Sequence, residues 1–253
     1  MKIALYQMSP VWENKAANCS EIQEVLRNSL PEVDLLIFPE MSLTGFTMKA
    51  ESVAEEVQGE SAAFFCELSK TYKTAVIGGF VSSEDSQYFN CALYADKTGT
   101  PQGIYRKIHP FSYAKENVHY SAGEELTVII DNEIHIGLTV CYDLRFPELY
   151  RLYAKQRVDL LVNIANWPVT RINHWQTLLK ARAIENQCFV AGVNRIGSDP
   201  LVAYDGHSAV IDPMGNVVHE MGATDVLQVV EINPADTLET RKKFPFLDDL
   251  RLI

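Results

Sequence analysis

Several things are missing from this chain of 253 residues. No CxxC pair occurs, and the five cysteines, Cys19, Cys66, Cys91, Cys141 and Cys188, are odd in number and scattered. That pattern signals neither a disulfide framework nor a structural zinc site, and it is expected of a reducing compartment. No apolar run approaches the ~20 residues of a membrane span. The opening KIALYQM is too short for a signal peptide and has no small-residue cleavage site. Basic residues are in deficit, with 22 Lys+Arg against 33 Asp+Glu and a formal net charge of -11. Nucleic acid and anionic membrane both demand a basic footprint, so neither is an expected partner. The six histidines show no ligand spacing, so no metal is expected, and His109, His174 and His207 read as structural hydrogen-bonding residues. No linker or low-complexity stretch divides the chain, which favours a single domain over residues 1–253. The expectation is a soluble, cytoplasmic protein.

What is present is a succession of apolar runs, each ending in a polar turn. KIALYQM reads as a first strand, followed by a helix with Ile22, Val25, Leu26 and Leu30 on its inner face, closed by Pro31. VDLLIF, residues 33 to 38, has no alternation, as expected of a strand covered on both faces, and stops at Pro39-Glu40. Ser61 is placed as the cap of a helix running through Tyr72, and TAVIGGFV follows as a strand. FNCALYA and GIYRK flank Asp96-Lys97-Thr98-Gly99, a hairpin signal. Ile108 to Gly123 shows no periodicity and reads as a long functional loop. TVIID and IHIGLTV pair next. A helix opened by Pro147 extends to about Arg157, and VDLLVNIA then repeats the character of VDLLIF before Asn166-Trp167-Pro168. A helix from about Asn173 to Asn186 leads into CFVAGVNR, then a hairpin around Pro213-Met214-Gly215, a last strand VLQVVEI and a short helix. Both halves thus run βαβαββ. The pattern predicts an α/β protein of two sheets, each with helices on one face, packed as a four-layer αββα sandwich.

Three strand ends deliver chemically distinct groups: Glu40 after VDLLIF, Lys107 after GIYR, and Cys141 after IHIGLTV. Carboxyl ends of strands are where α/β sheets assemble their sites. A carboxylate, an ammonium and a thiol gathered there would supply a general base, a cationic stabiliser and a nucleophile. Cys141 sits where a strand turns into a helix, and free N–H groups of a first turn favour thiolate and developing oxyanions. Taken one at a time, Cys141 reads equally as a small buried hydrophobe, Glu40 as a loop acid and Lys107 as a surface charge. A charge embedded in LLIFPEMSLTGF is nonetheless expensive to bury unless it is paired. Glu116, by residue counting alone, is a surface charge in the long loop.

LLIFPEMSLTGF around Glu40, YRKIHPF around Lys107 and GLTVCYDLRFPELYR around Cys141, with VNIANWP, HWQTLLKARAIENQCFVAGVNR and YDGHSAVIDPMGNVV, resemble the nitrilase superfamily of carbon–nitrogen hydrolases. The match covers nearly the whole chain, in order. The resemblance implies the αββα fold and a catalytic triad of Glu40, Lys107 and Cys141. It also implies a second glutamate at Glu116, and an oxyanion held by the Lys107 ammonium and the backbone N–H of Tyr142. It further implies an amide hydrolysed through a thioester without a cofactor, by a homodimer. CYDLRFPE, IANWP and HWQTLLKARAIENQ look most like the omega-amidase branch, which acts on 2-oxoglutaramate and 2-oxosuccinamate. A substrate carrying a distal carboxylate calls for an arginine. Arg145 is the first choice and Arg171 the second, with a salt bridge to Asp143 or Glu148 as the alternative reading of Arg145. Phe111, Tyr142 and Trp167, with Tyr113, are candidate pocket walls. An amide of a deaminated peptide, an N-carbamoyl amino acid, a nitrile, or a non-catalytic interaction protein keeping the fold remains open. Nitriles are disfavoured because YDLRFPE follows the cysteine where nitrilases usually show tryptophan and glutamate.

Overall fold

The computed structural model describes residues 1–252. The first half contains β1 (Lys2–Tyr6), α1 (Lys15–Ser29), β2 (Leu35–Ile37), a short α2 (Ala50–Val53), β3 (Glu55–Glu56), α3 (Glu60–Tyr72), β4 (Ala75–Glu84), β5 (Gln87–Ala95) and β6 (Pro101–Arg106). After α4 (Glu116–His119) come β7 (Val128–Asp131), β8 (Ile134–Val140), α5 (Pro147–Lys155), β9 (Leu160–Ala165), α6 (Ile172–Asn186) and β10 (Phe189–Asn194). The chain continues through β11 (Ile196–Ser198), β12 (Ala203–Asp205), β13 (Ala209–Ile211), β14 (Val217–Glu220), β15 (Leu227–Glu231) and α7 (Ala235–Lys243).

Two sheets form, in the orders β15-β1-β2-β4-β5-β6 and β7-β8-β9-β10-β13-β14, with β3 added to β4 and β11-β12 as a separate ribbon. Side chains alternate along β1, so Ile3 and Leu5 enter the core shared with Ile136, Leu138 and Leu160 of the second sheet. Ala4 and Tyr6 face the other way, onto Ile22 and Leu26 of α1 and Phe65 and Leu68 of α3. Leu149, Trp175, Leu179 and Ala183 of α5 and α6 cover the second sheet. The layers are therefore helix, sheet, sheet, helix, the expected four-layer αββα arrangement.

The last strand, VLQVVEI, crosses back: β15 pairs antiparallel with β1, Ile3 opposite Val230. Two local expectations need correction. Ser61 is not the cap of α3: Gly59 holds that position, and the carboxylate of Glu55 accepts the free Ser61 N–H at 2.6 Å and its hydroxyl at 3.0 Å. An acid supplied from β3 does what a capping hydroxyl would have done. The stretch from Ile108 to Gly123 is not all loop, since it contains a 3₁₀ turn at Ser112–Ala114 and then α4.

Candidate active site

The carboxyl ends of β2, β6, β8 and β9 converge. Glu40 lies in the turn after β2, and Gly79 of β4 allows that turn to approach: a Cβ there would sit 2.4 Å from the Pro39 carbonyl oxygen and 2.8 Å from Glu40 Cα. Lys107 follows β6, and its backbone N–H donates to the Asn90 carbonyl at 2.8 Å. Cys141 follows β8 and opens a 3₁₀ turn over Cys141–Arg145, ahead of α5. Its φ of +48° is a left-handed conformation that a residue with a Cβ adopts only at a cost of about 1–3 kcal/mol.

Glu40, Lys107 and Glu116 are all buried. Lys107 Nζ donates to Glu40 Oε1 at 2.8 Å and to Glu116 Oε2 at 2.9 Å. Asn90 Nδ2 donates to both carboxylates, at 2.6 Å to Glu40 and 2.8 Å to Glu116. The Asn166 backbone N–H donates to Glu40 Oε2 at 2.8 Å, and its side-chain amide to the Glu40 carbonyl at 2.7 Å. Phe111 N–H donates to Glu116 Oε2 at 2.5 Å. The surface-charge reading of Glu116 therefore fails. Residue counting could not anticipate that α4 folds this acid inward onto Lys107.

Two carboxylates around one ammonium cannot share its charge equally. Burial raises both acids, but at Glu40 the Lys107 ammonium and the bonds from Asn90 and Asn166 outweigh it and hold the carboxyl below its usual range. At Glu116 burial, helped by the Glu40 charge, prevails over Lys107 and pushes the carboxyl up. Burial would lower Lys107, yet Glu116 and Glu40 keep it firmly protonated. The Cys141 thiol is pushed well up by burial and by the Glu40 charge, against the pull of Lys107. That shift favours the thiol, against the pull of the turn's N–H groups towards thiolate, and accords with a general base as the partner of Cys141.

Cys141 opens onto a cavity of about 360 Å³ whose walls are mostly apolar. Phe111, Tyr142, Arg145 and Trp167 all line it, as do Arg171 and Tyr204. A larger groove of about 1010 Å³ lies beside α2 and α4 and touches none of Glu40, Lys107 and Cys141, so its size does not make it the site. Arg145 forms no salt bridge with Asp143 or Glu148. Its guanidinium lies 4.7 Å from the centre of the Trp167 ring and 3.3 Å from His174 Nδ1. Burial and the neighbouring Arg171 charge lower its pKa. Asp143 is occupied elsewhere, accepting from Tyr105, His109 and Val140. His207 bonds Glu220 at 2.8 Å. Asn90 carried no assigned role at the sequence level, and Asp143 only that of an alternative salt-bridge partner for Arg145. The available signal for Asn90 was a polar side chain inside the apolar strand FNCALYA.

A search of known proteins agrees with this architecture. The crystal structure of XC1258 from Xanthomonas campestris, a CN-hydrolase superfamily protein with an arsenic adduct in its active site, superposes with a TM-score of 0.94. It is 34% identical, with 100% of this chain and 98% of that one covered. That likeness sets the class as a hydrolase with the αββα sandwich. The sequence model of the family described as carbon-nitrogen hydrolase matches residues 2–242. The chain belongs to the carbon–nitrogen hydrolase family, the nitrilase superfamily of the resemblance, on its omega-amidase branch. Relatives on that branch include the omega-amidase YafV of Escherichia coli, 35% identical over 98% of this chain and 96% of the relative. Another is the 2-oxoglutaramate amidase of Bacillus subtilis, 32% identical over 98% and 97%.

Proposed function

We propose that this carbon–nitrogen hydrolase is an amidase that cleaves the terminal amide of a small carboxylate-bearing substrate, such as 2-oxoglutaramate or 2-oxosuccinamate. One observation carries the reading: at converging strand ends a buried ammonium is bonded to two carboxylates, and Cys141 opens onto a pocket holding Arg145, which makes no salt bridge among the described residues. Glu40, the ionised carboxylate, takes the thiol proton as Cys141 attacks the amide carbon. The Lys107 ammonium and the Tyr142 backbone N–H face the oxyanion, in a site too dry to screen them. Glu40 returns its proton to the leaving nitrogen, ammonia departs and a thioester remains. Water activated by Glu40 then releases the acid. Glu116, whose pKa burial and the Glu40 charge push up, fixes Lys107 through its bonds to the ammonium.

The Arg145 guanidinium, stacked on Trp167, is placed to receive the distal carboxylate, with Arg171 adding positive potential at the same pocket. That charge is what favours a half-amide of a dicarboxylic acid over a neutral aliphatic amide.

The test is ammonia release across 2-oxo acid amides, glutamine, aliphatic amides, N-carbamoyl amino acids and nitriles. The 2-oxo acid amides are expected to lead. Cys141→Ala is expected to lower turnover by about 10⁴-fold or more while leaving thermal unfolding unchanged, and substantial residual turnover would end the thioester mechanism. Arg145→Ala is expected to cost about 2 kcal/mol, roughly thirtyfold in kcat/KM, on dicarboxylic half-amides and less than about threefold on aliphatic amides. Equal loss on both classes would remove Arg145 as the carboxylate ligand.

A further inference from the structure

Asp143 is fully buried and makes no salt bridge to any arginine or lysine. Its carboxylate is instead saturated by four donors from two separate segments. Oδ2 accepts from Val140 N–H at 2.9 Å and from the Tyr105 hydroxyl at 2.8 Å. Oδ1 accepts from His109 N–H at 3.0 Å and lies 2.8 Å from His109 Nδ1. With Nδ1 as the protonated ring nitrogen, this contact is the fourth hydrogen bond to the carboxylate. The His109 ring is fixed in turn by stacking on Phe146, centroids 3.8 Å apart and planes within 7°.

The sequence positions of these donors are the informative part. Tyr105 and His109 stand on either side of Lys107, and Val140 and Asp143 on either side of Cys141. Lys107 comes from the first sheet and Cys141 from the second, and no backbone ladder joins β6 to β8. The Cys141 backbone is also strained, at φ +48°. A strained residue persists only where its surroundings over-determine it, and here the bond from Val140 N–H to Asp143 closes the turn around it.

We propose that Asp143 is a positioning residue that sets the distance and orientation of the Cys141 thiol relative to the Lys107 ammonium, clamping the two segments with one carboxylate. This rests on the reading of Cys141 as nucleophile and Lys107 as oxyanion partner. The carboxylate touches neither substrate nor reacting atoms. Its effect falls on the transition state, in which sulfur, carbon and ammonium must be aligned, and not on substrate capture, which the arginines and aromatic walls provide. Misplacement by about 1 Å costs on the order of 10²-fold in such steps.

The experiment uses the full-length enzyme and whichever amide of the panel it turns over fastest. Asp143→Asn is compared with the parent for kcat, KM, thermal unfolding, and the rate and pH dependence of Cys141 alkylation by iodoacetamide, with kcat counted per alkylatable Cys141. The clamp predicts kcat lowered about a hundredfold, KM within about twofold, and an altered pH profile of alkylation. A purely structural role would leave kcat per alkylatable site unchanged, and that result overturns the proposal. If Asp143→Asn does not fold, the Tyr105→Phe, His109→Gln double variant decides. It removes two side-chain donors and leaves the Val140 and His109 N–H groups on the carboxylate, and kcat lowered at least fivefold at constant KM supports the clamp, whereas kcat within twofold overturns it. An active Cys141→Ala enzyme would instead overturn the nucleophile reading itself, and the clamp with it.

Discussion

The two sheets begin alike and end differently. Val33-Asp34-Leu35-Leu36 leads into β2, and Val158-Asp159-Leu160-Leu161 leads into β9. Asp34 accepts from Lys2 N–H at 2.6 Å and Asp159 from His135 N–H at 2.9 Å, each pinning the start of the neighbouring parallel strand. The backbone repeats the pattern: Asp34 N–H bonds Lys2 and Asp159 N–H bonds His135, while the carbonyls of both aspartates receive the first residue region of the next strand, at Ala75 and Phe189. Sheet order is also the same, an antiparallel edge strand followed by three parallel strands and a hairpin. Beyond this entry the halves part. β2 runs through apolar residues to Glu40, whereas β9 buries Asn163 on Thr139 and Tyr150, each at 3.0 Å, and finishes at Asn166. The exits meet when Asn166 donates to Glu40. Strand entries hold the scaffold in register, and strand exits hold the chemistry.

That division can be tested from its strongest consequence downward. Glu40→Gln keeps the shape of the first exit and removes its base, so turnover is expected to fall about 10³-fold. The same role fixes the acid limb of the pH profile. Lys107 and its neighbours depress the Glu40 pKa below its ordinary value of 4.5. The base is therefore present throughout the ordinary carboxylate range, and activity declines only as pH falls below that value. Stability carries the same sign for Glu40 and the opposite sign for Glu116, whose raised pKa favours the folded state more at low pH and less as pH rises through it. A limb lying above 4.5 would assign the base elsewhere.

Next in size is Gly79→Ala. The added methyl group meets the Pro39 carbonyl and displaces the turn bearing Glu40, which is expected to cost about 10²-fold in kcat. A variant with full activity would show that the first exit tolerates movement. The smallest effect belongs to the entries. Asp159→Asn should cost about 1 kcal/mol in denaturant unfolding, more than the same change at the exposed Asp34, with kcat unaltered in both. A loss of kcat at either position would blur the line between entry and exit.

The sequence displayed the exits better than it displayed their environment. Glu40, Lys107 and Cys141 were legible because apolar strands stop at them, and the layered fold was legible from the repeated strand and helix pattern. Glu116 was not legible from its own surroundings, since α4 is one turn long and its inward face is set by Lys107 and Phe111, both distant from any periodic signal. The crossing of β15 was hidden for a different reason. VLQVVEI suits an edge position in either sheet, and local pattern carries no information about which edge is vacant. The balance at the Cys141 thiol was half legible, because a turn's N–H groups can be read from sequence, whereas burial beside an acid cannot.

The return of β15 to β1 has a consequence for how the molecule comes into being. Emerging from the ribosome, β1 has one flank waiting until a strand synthesised far later arrives to cover it, while the second sheet already owns both of its edges. An unpaired edge is a template for other chains. The newborn protein is therefore most vulnerable to aggregation along Lys2–Tyr6, and a release of synthesis before Leu227 would leave that flank permanently open.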